Sequence, residues 1–287
     1  MNIIEKAAEK LVQSKREPTS PPEINAISTS SPRPHTENIN GAHNPDELIH
    51  KQVEINLTQL HHMGMVTPDQ GKTLVAEEFR LIKRPLIKNA LNQSGRPIKH
   101  GNLIMVTSSL PREGKTFCAI NLAMSLAMEM DHTVLLVDAD VARPSVLRTL
   151  GLKSETGLMD ILLDDKLDMA DVMLKTNVET LSILPAGKKH KHSTELLASQ
   201  SMSSLLDEIA NRYPDRIIIF DSPPLLLTTE ASVLASHMGQ IVMVVEAETT
   251  TQNAVKEALR QIETCANINL VYNKAKSFPG GNYYGYY

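Results

Sequence analysis

The stretch 103–116, LIMVTSSLPREGKT, holds the residues whose types and spacing point most directly to chemistry. Leu103 to Val106 read as a strand, Ser and Pro then break it, and Gly114-Lys115-Thr116 open a helix. In such a turn the backbone N–H groups and the helix N-terminus face a polyphosphate. The lysine neutralises its charge and the threonine hydroxyl holds Mg²⁺. The general pattern is G-x-x-x-x-G-K-[ST], and here Ser109 stands at its first glycine, so the motif is a variant. The plain alternative is a polar strand-to-helix turn that happens to contain GKT.

Two further apolar runs end in acids: VLLVDAD at Asp138 and Asp140, and RIIIFDSPP at Asp221. In a parallel sheet the strands end on one edge, and ligands bind outside that edge. Thr107, Asp138 and Asp221 therefore converge on the GKT turn. A strand-end aspartate holds Mg²⁺ beside nucleotide phosphates, directly or through water. The competing role is capping of the next helix, which suits one such residue better than two. Asp138 and Asp140 share a face if the strand continues. A carboxylate beyond the metal ligands accepts a hydroxyl proton in a kinase, or positions water in a hydrolase. Arg143 is placed to contact phosphate or the incoming substrate, with a surface ion pair as the other reading.

The elements that must position these groups alternate. Strands are expected over 102–107, 133–138, 180–184, 216–221, 241–246 and 268–272, with helices over 115–129, 193–212, 229–237 and 250–265. That rhythm specifies an α/β fold with a doubly wound, mainly parallel sheet, the P-loop NTPase architecture. Upstream, residues 73–93 read as a helix with Val75, Phe79, Ile82, Leu86 and Ala90 inward and Pro85 expected to bend or interrupt it. Its outer face carries Glu77, Arg80, Lys83 and Arg84, either a solvated set of ion pairs or a surface that pairs with a copy of itself.

Four stretches lie outside this framework. Residues 1–14 read as an amphipathic helix too short to stand alone, and 15–48 as a Pro/Ser-rich linker expected to bury too little apolar surface to fold. GKKHKH (187–192) is a basic loop, either solvated or in contact with an acidic tail or lipid headgroups. Residues 277–287 end in YYGYY: four of the chain's six tyrosines, Tyr283, Tyr284, Tyr286 and Tyr287, sit in its last five positions. The folded domain is thus expected over 49–276. His61-His62 are adjacent, without a carboxylate or cysteine at a metal-ligand spacing.

Composition narrows the partners. A net charge of −4 over 287 residues gives no basic field and argues against nucleic acid. Cys118 and Cys265 fall in apolar helical patterns and match no metal spacing, so a reduced, cytoplasmic setting is expected. The longest aliphatic runs, IIIF and IVMVV, are strand-sized, so no membrane span is expected.

Taken together, SSLPREGKT, VLLVDADVARP, IIIFDSPP and YYGYY resemble the Walker A, Walker A-prime, Walker B and tyrosine tail of the bacterial tyrosine kinases, over about residues 50–287. EEFRLIKR resembles that family's E-x-x-R-x-x-R oligomerisation helix, with Lys83 where an arginine is usual and Arg84 adjacent. The start, the linker and EEFRLIKRPLIKNA are similar to the free-standing autokinases of exosortase-type exopolysaccharide loci. The resemblance implies a fold of the deviant-Walker, partitioning-ATPase kind that binds ATP and Mg²⁺. It implies that Ser109, Pro111, Arg112, Glu113, Gly114, Lys115, Thr116 and Phe117 cradle the nucleotide, with Asn273 at the adenine. Lys115, Asp138, Asp140 and Asp221 are then catalytic, Asp138 as the base, and Thr116 and the three aspartates support the metal. The tail tyrosines would be phosphorylated in trans within a homo-oligomeric ring. The implied partners are a chain-length-determinant membrane protein, which recruits the kinase to the inner face of the cell membrane, and a tyrosine phosphatase.

The nearest rival is a scaffold ATPase of the septum-positioning or partitioning kind, which carries a lysine early in its P-loop. Leu110 stands at that position here, followed by Pro111. The third reading is a non-catalytic, ATP-dependent docking module.

Overall fold

The computed structural model describes residues 52–276, except 71, 72, 94, 96, 155 and 214. The expected N-terminal helix, the Pro/Ser linker and the four tail tyrosines lie outside the described residues.

Eight strands form one sheet: β1 (Gln52–Val53), β2 (Leu103–Ser108), β3 (Thr133–Asp138), β4 (Leu174–Thr176), β5 (Leu181–Leu184), β6 (Arg216–Asp221), β7 (Gln240–Glu246) and β8 (Ile268–Asn273). Their order is β1-β4-β5-β3-β6-β2-β7-β8, and every neighbouring pair is parallel except β4 with β5. The register sets Asp138 beside Asp221 and Val106 beside Asp221, so the P-loop and both acids leave the same edge.

The central strands read as unbroken aliphatic runs because both of their faces are covered. Alternate residues divide between the two layers. Ile104, Val106, Leu136 and Ile219 face one side, packed by α2 (Leu74–Ala90) and α3 (Lys115–Ala127). Met105, Leu135, Val137 and Phe220 face the other, packed by α8 (Gln200–Arg212), α9 (Thr229–Ala235) and α10 (Gln252–Gln261). The remaining helices are short: α1 (Leu57–His62), α4 (Val146–Leu150), α5 (Leu158–Leu163), α6 (Met169–Val172) and α7 (Ser193–Leu197).

Several expectations change. The helix expected over 193–212 is two, because Ser199 starts a new one by accepting a hydrogen bond from the Met202 N–H. The helix expected over 250–265 is confined to 252–261 by Thr251, which caps it through Ala254 N, and Cys265 falls beyond its end. The short β4, three residues with alternating burial, escapes a pattern search.

Pro85 does not interrupt α2. It lies on the exposed side with Leu81, so the carbonyl that a residue-85 N–H would have met faces water. Lys83 is the larger correction. It is buried, not on the outer face. Its Nζ donates to the Ser125 carbonyl at 2.5 Å and pairs with Glu129 at 2.6 Å, at the C-terminal end of α3, where a cation meets unsatisfied carbonyls. Glu77, Arg80 and Arg84 remain outward, with Arg80 bonded to Glu77.

Candidate active site

Between β2 and α3 the chain must reverse tightly around whatever the loop encloses. Arg112 and Gly114 both adopt left-handed backbone conformations, φ +69° and +99°. At Gly114 glycine is required twice over: a Cβ there would also lie 2.0 Å from Asn273 Nδ2. Glu113 turns inward. Its buried carboxylate accepts from Leu110 N at 2.5 Å and from the Thr250 hydroxyl, which fastens the loop to the end of β7. From β8, Asn273 Nδ2 donates to the Glu113 carbonyl at 2.8 Å, and Lys274 Nζ donates to the Arg112 carbonyl at 2.7 Å.

A cavity of about 640 Å³ opens over this loop. Six of the nine residues expected to cradle a nucleotide line it: Pro111, Arg112, Gly114, Lys115, Thr116 and Phe117. Ser109, Glu113 and Asn273 do not. Ser109 is wholly buried beneath the loop, and Glu113 and Asn273 brace it from behind. The opposite wall carries Arg143, Arg148, Pro224 and Leu227. Arg112, Lys115, Arg143 and Arg148 thus face a cavity in which Asp140 is the lining carboxylate, a field suited to a polyanion.

Thr116 Oγ1 donates to Asp221 Oδ2 at 2.7 Å and lies 2.8 Å from Ser145 Oγ. Lys115 Nζ is 2.9 Å from Asp140 Oδ2, and Asp140 Oδ1 accepts from Arg143 N at 3.0 Å. Both Asp140 oxygens are therefore engaged, Oδ2 by the P-loop lysine and Oδ1 by the Arg143 amide. Asp138 Oδ2 accepts from Ser145 N and Val146 N, each at 3.0 Å, and so does cap a helix, α4. The capping role and the site role coexist, because the other oxygen is unspent. Asp138 Oδ1 and Asp221 Oδ1 are both buried and, among the described residues, without a hydrogen-bond partner. Burial pushes the Asp221 carboxyl up to about 7, against the pull of Lys115. Burial likewise pushes Asp138 up to about 6, against the Val146 and Ser145 amides.

Two orphaned carboxylate oxygens beside a threonine hydroxyl form a hard-oxygen donor set, and that set fits Mg²⁺. Thr107 plays a structural part: its hydroxyl donates to the Pro223 carbonyl at 2.8 Å. Sequence reasoning missed Ser145 and Arg148, the N-cap and a member of a five-residue helix too short to show a period. It also missed the apolar wall at 223–227, whose only signal was SPPLLL after Asp221.

A parallel sheet with a GKT loop and acids at its carboxyl edge defines a P-loop nucleotide-binding protein. A family model described as an AAA domain matches residues 104–274, more than half the chain. CapB of Staphylococcus aureus is 28% identical over 222 residues, 76% of this chain and 92% of its own. The tyrosine-protein kinase YwqD of Bacillus subtilis is 28% identical over 226 residues, 78% of this chain and 91% of its own. The kinase domain of VpsO superposes with a TM-score of 0.56 at 27% identity, over 71% of this chain and all of that one. The chain belongs to the AAA-domain family, and the curated relatives it matches are bacterial tyrosine-protein kinases.

Proposed function

We propose that this chain is an ATP-dependent tyrosine autokinase that acts on its own C-terminal cluster, Tyr283, Tyr284, Tyr286 and Tyr287, between neighbours in a homo-oligomer. The supporting observation is one arrangement: a lysine- and arginine-lined cavity whose floor carries Thr116 on Asp221, with Asp138 beside it in the register. Lys115 exchanges its Asp140 partner for the phosphate chain when nucleotide enters. Mg²⁺, held by Thr116 with the free oxygen of Asp221, would neutralise phosphate charge, which leaves the free oxygen of Asp138 to accept a proton. Arg112 and Lys115 hold the γ-phosphoryl group for in-line transfer. The phenolic oxygen bonds to the γ-phosphorus, the bond from that phosphorus to the β–γ bridging oxygen breaks, and the phenolic proton passes to a carboxylate. That carboxylate is Asp138, whose raised proton affinity suits a base.

On the same reading the kinase serves exopolysaccharide polymerisation and export, working beside a chain-length-determinant membrane protein at the inner face of the membrane, with a tyrosine phosphatase to reset it. No helix among the described residues is long and apolar enough to cross a membrane.

Intact mass after incubation with Mg-ATP tests the reaction. The full chain should gain phosphates, while a chain ending at Gly280, and the Lys115→Met and Asp138→Asn variants, should gain none. ATP turnover without added mass would replace the kinase by a scaffold ATPase.

A further inference from the structure

We propose that the basic surface formed by Arg143, Arg148, Lys188, Lys189 and Lys191 is a docking site for the phosphorylated C-terminal segment, 277–287, of the same chain. This inference rests on the proposed tail phosphorylation.

The surface is continuous with the active site. Arg148 lines the nucleotide cavity and also a smaller one, of about 70 Å³, whose wall includes Asp138 and Pro185 to Gly187. The basic loop begins where that wall ends. Because β5 runs parallel to β3, with Leu184 beside Val137, the loop leaves the same sheet edge as Asp138.

Its root is fixed. Leu158 N and Met159 N donate to the Pro185 and Ala186 carbonyls at 2.8 and 3.0 Å. Asp160 Oδ2 accepts from Gly157 N at 2.9 Å and from Lys188 N at 3.2 Å. Gly187, at φ +82°, lets that carboxylate approach closely. Asp160 is thus engaged by the loop backbone, and the lysine heads stand exposed. Some other surface cations have acid partners, as in Arg212–Glu208, Arg260–Glu257 and Lys276–Glu248. Among the described residues no ion pair engages these five cations.

The segment that supplies the complementary charge starts within reach. Asn273 and Lys274 are pinned to the P-loop carbonyls at the end of β8. From β8 to β5 the sheet order counts five strand spacings, about 24 Å. The eleven residues from 277 to 287 span at most about 36–40 Å. A tethered segment meets its own chain at an effective concentration of about millimolar, which favours its own surface over a neighbour's. Unphosphorylated, FPGGNYYGYY carries no charged side chain. Four phosphotyrosines would give it about −6 to −8. The surface therefore selects the product of the reaction over its substrate.

The test uses a labelled synthetic peptide, residues 278–287, with and without four phosphotyrosines, titrated by fluorescence anisotropy into the full chain after phosphatase treatment. We expect the phosphopeptide to bind at least tenfold tighter, and Lys188→Ala/Lys189→Ala/Lys191→Ala to abolish that preference while melting like the parent. A full chain carrying the phosphopeptide by ligation should exclude added phosphopeptide equally at all protein concentrations. The phosphates are introduced synthetically, so the outcome does not depend on whether the chain is a kinase. Equal binding of the two peptides, or a preference that survives the triple substitution, would overturn the proposal. So would exclusion that is lost on dilution, which would assign the surface to a neighbour's tail. Lysine-dependent sedimentation with phosphatidylserine vesicles without phosphopeptide binding would assign it to membrane instead.

Discussion

Asp221 and Asp138 are buried with one oxygen each unpartnered, and their proton affinities make the ligand-free site sensitive to pH. A carboxyl raised on folding supports the fold fully below its unfolded pKa, and that support is lost as pH rises through the folded value. For these two the loss runs from about pH 4 to between about 6 and 7. Asp221→Asn should therefore melt higher than the parent at pH 8 without nucleotide or metal, and level with it near pH 4. Scanning fluorimetry reads this directly, and a parent that stays the more stable at pH 8 would refute it. Asn273→Ala removes a brace from the P-loop without touching the cavity. It should raise KM for ATP several-fold with a smaller change in kcat, whereas an adenine contact would also alter the preference between ATP and GTP. At this scale the sequence told which acids reach the site, since strand-end position follows from hydrophobic runs. It could not tell which oxygens are already spent. Asp140 is expected at the metal from its strand-end position, but that position gives no sign of its bonds to Lys115 and to Arg143 N, which are set by a turn with no sequence signature.

α2 shows how a helix can be legible and one of its faces misread. The spacing of Phe79, Ile82 and Leu86 marks the inward stripe, and Phe79 does pack edge-on against Phe117 beside the P-loop. Lys83 follows that stripe too, but its charge argued for the outside. A lysine stem can lie along an apolar seam while its head finds carbonyls at the end of another helix. Lys83→Ala should cost about 1–3 kcal/mol of stability, because Ser125 O and Glu129 lose a buried charged partner. Arg84→Ala, at an exposed position, should move the melting temperature little but shift the sedimentation profile toward smaller species. If both substitutions change stability alike and neither changes assembly, α2 is only a packing element.

Over the whole molecule, the alternation of strand and helix gave the sheet its direction, and the parallel order followed from long crossovers. The short strands β1 and β4, at one side of the sheet, were hidden by their length, two and three residues. Charge acts at this scale as well. A chain of net −4 that gains about −6 to −8 on its tail should repel its copies, so phosphorylated protein should sediment as smaller species at low salt and reassemble at high salt. Salt-independent sedimentation would remove repulsion as the cause. Finally, Gly114 and Asn273 lie far apart in the sequence yet occupy one space. Their substitutions therefore have an order. Alanine at 114 collides with Asn273 unless 273 has shrunk first, and even then it keeps the cost of a left-handed backbone, about 1–2 kcal/mol. Shrinking 273 first gives up the hydrogen bond on the Glu113 carbonyl. Every single-step route between the two pairs thus passes through a weakened nucleotide loop, so drift at either site is held in check by the other.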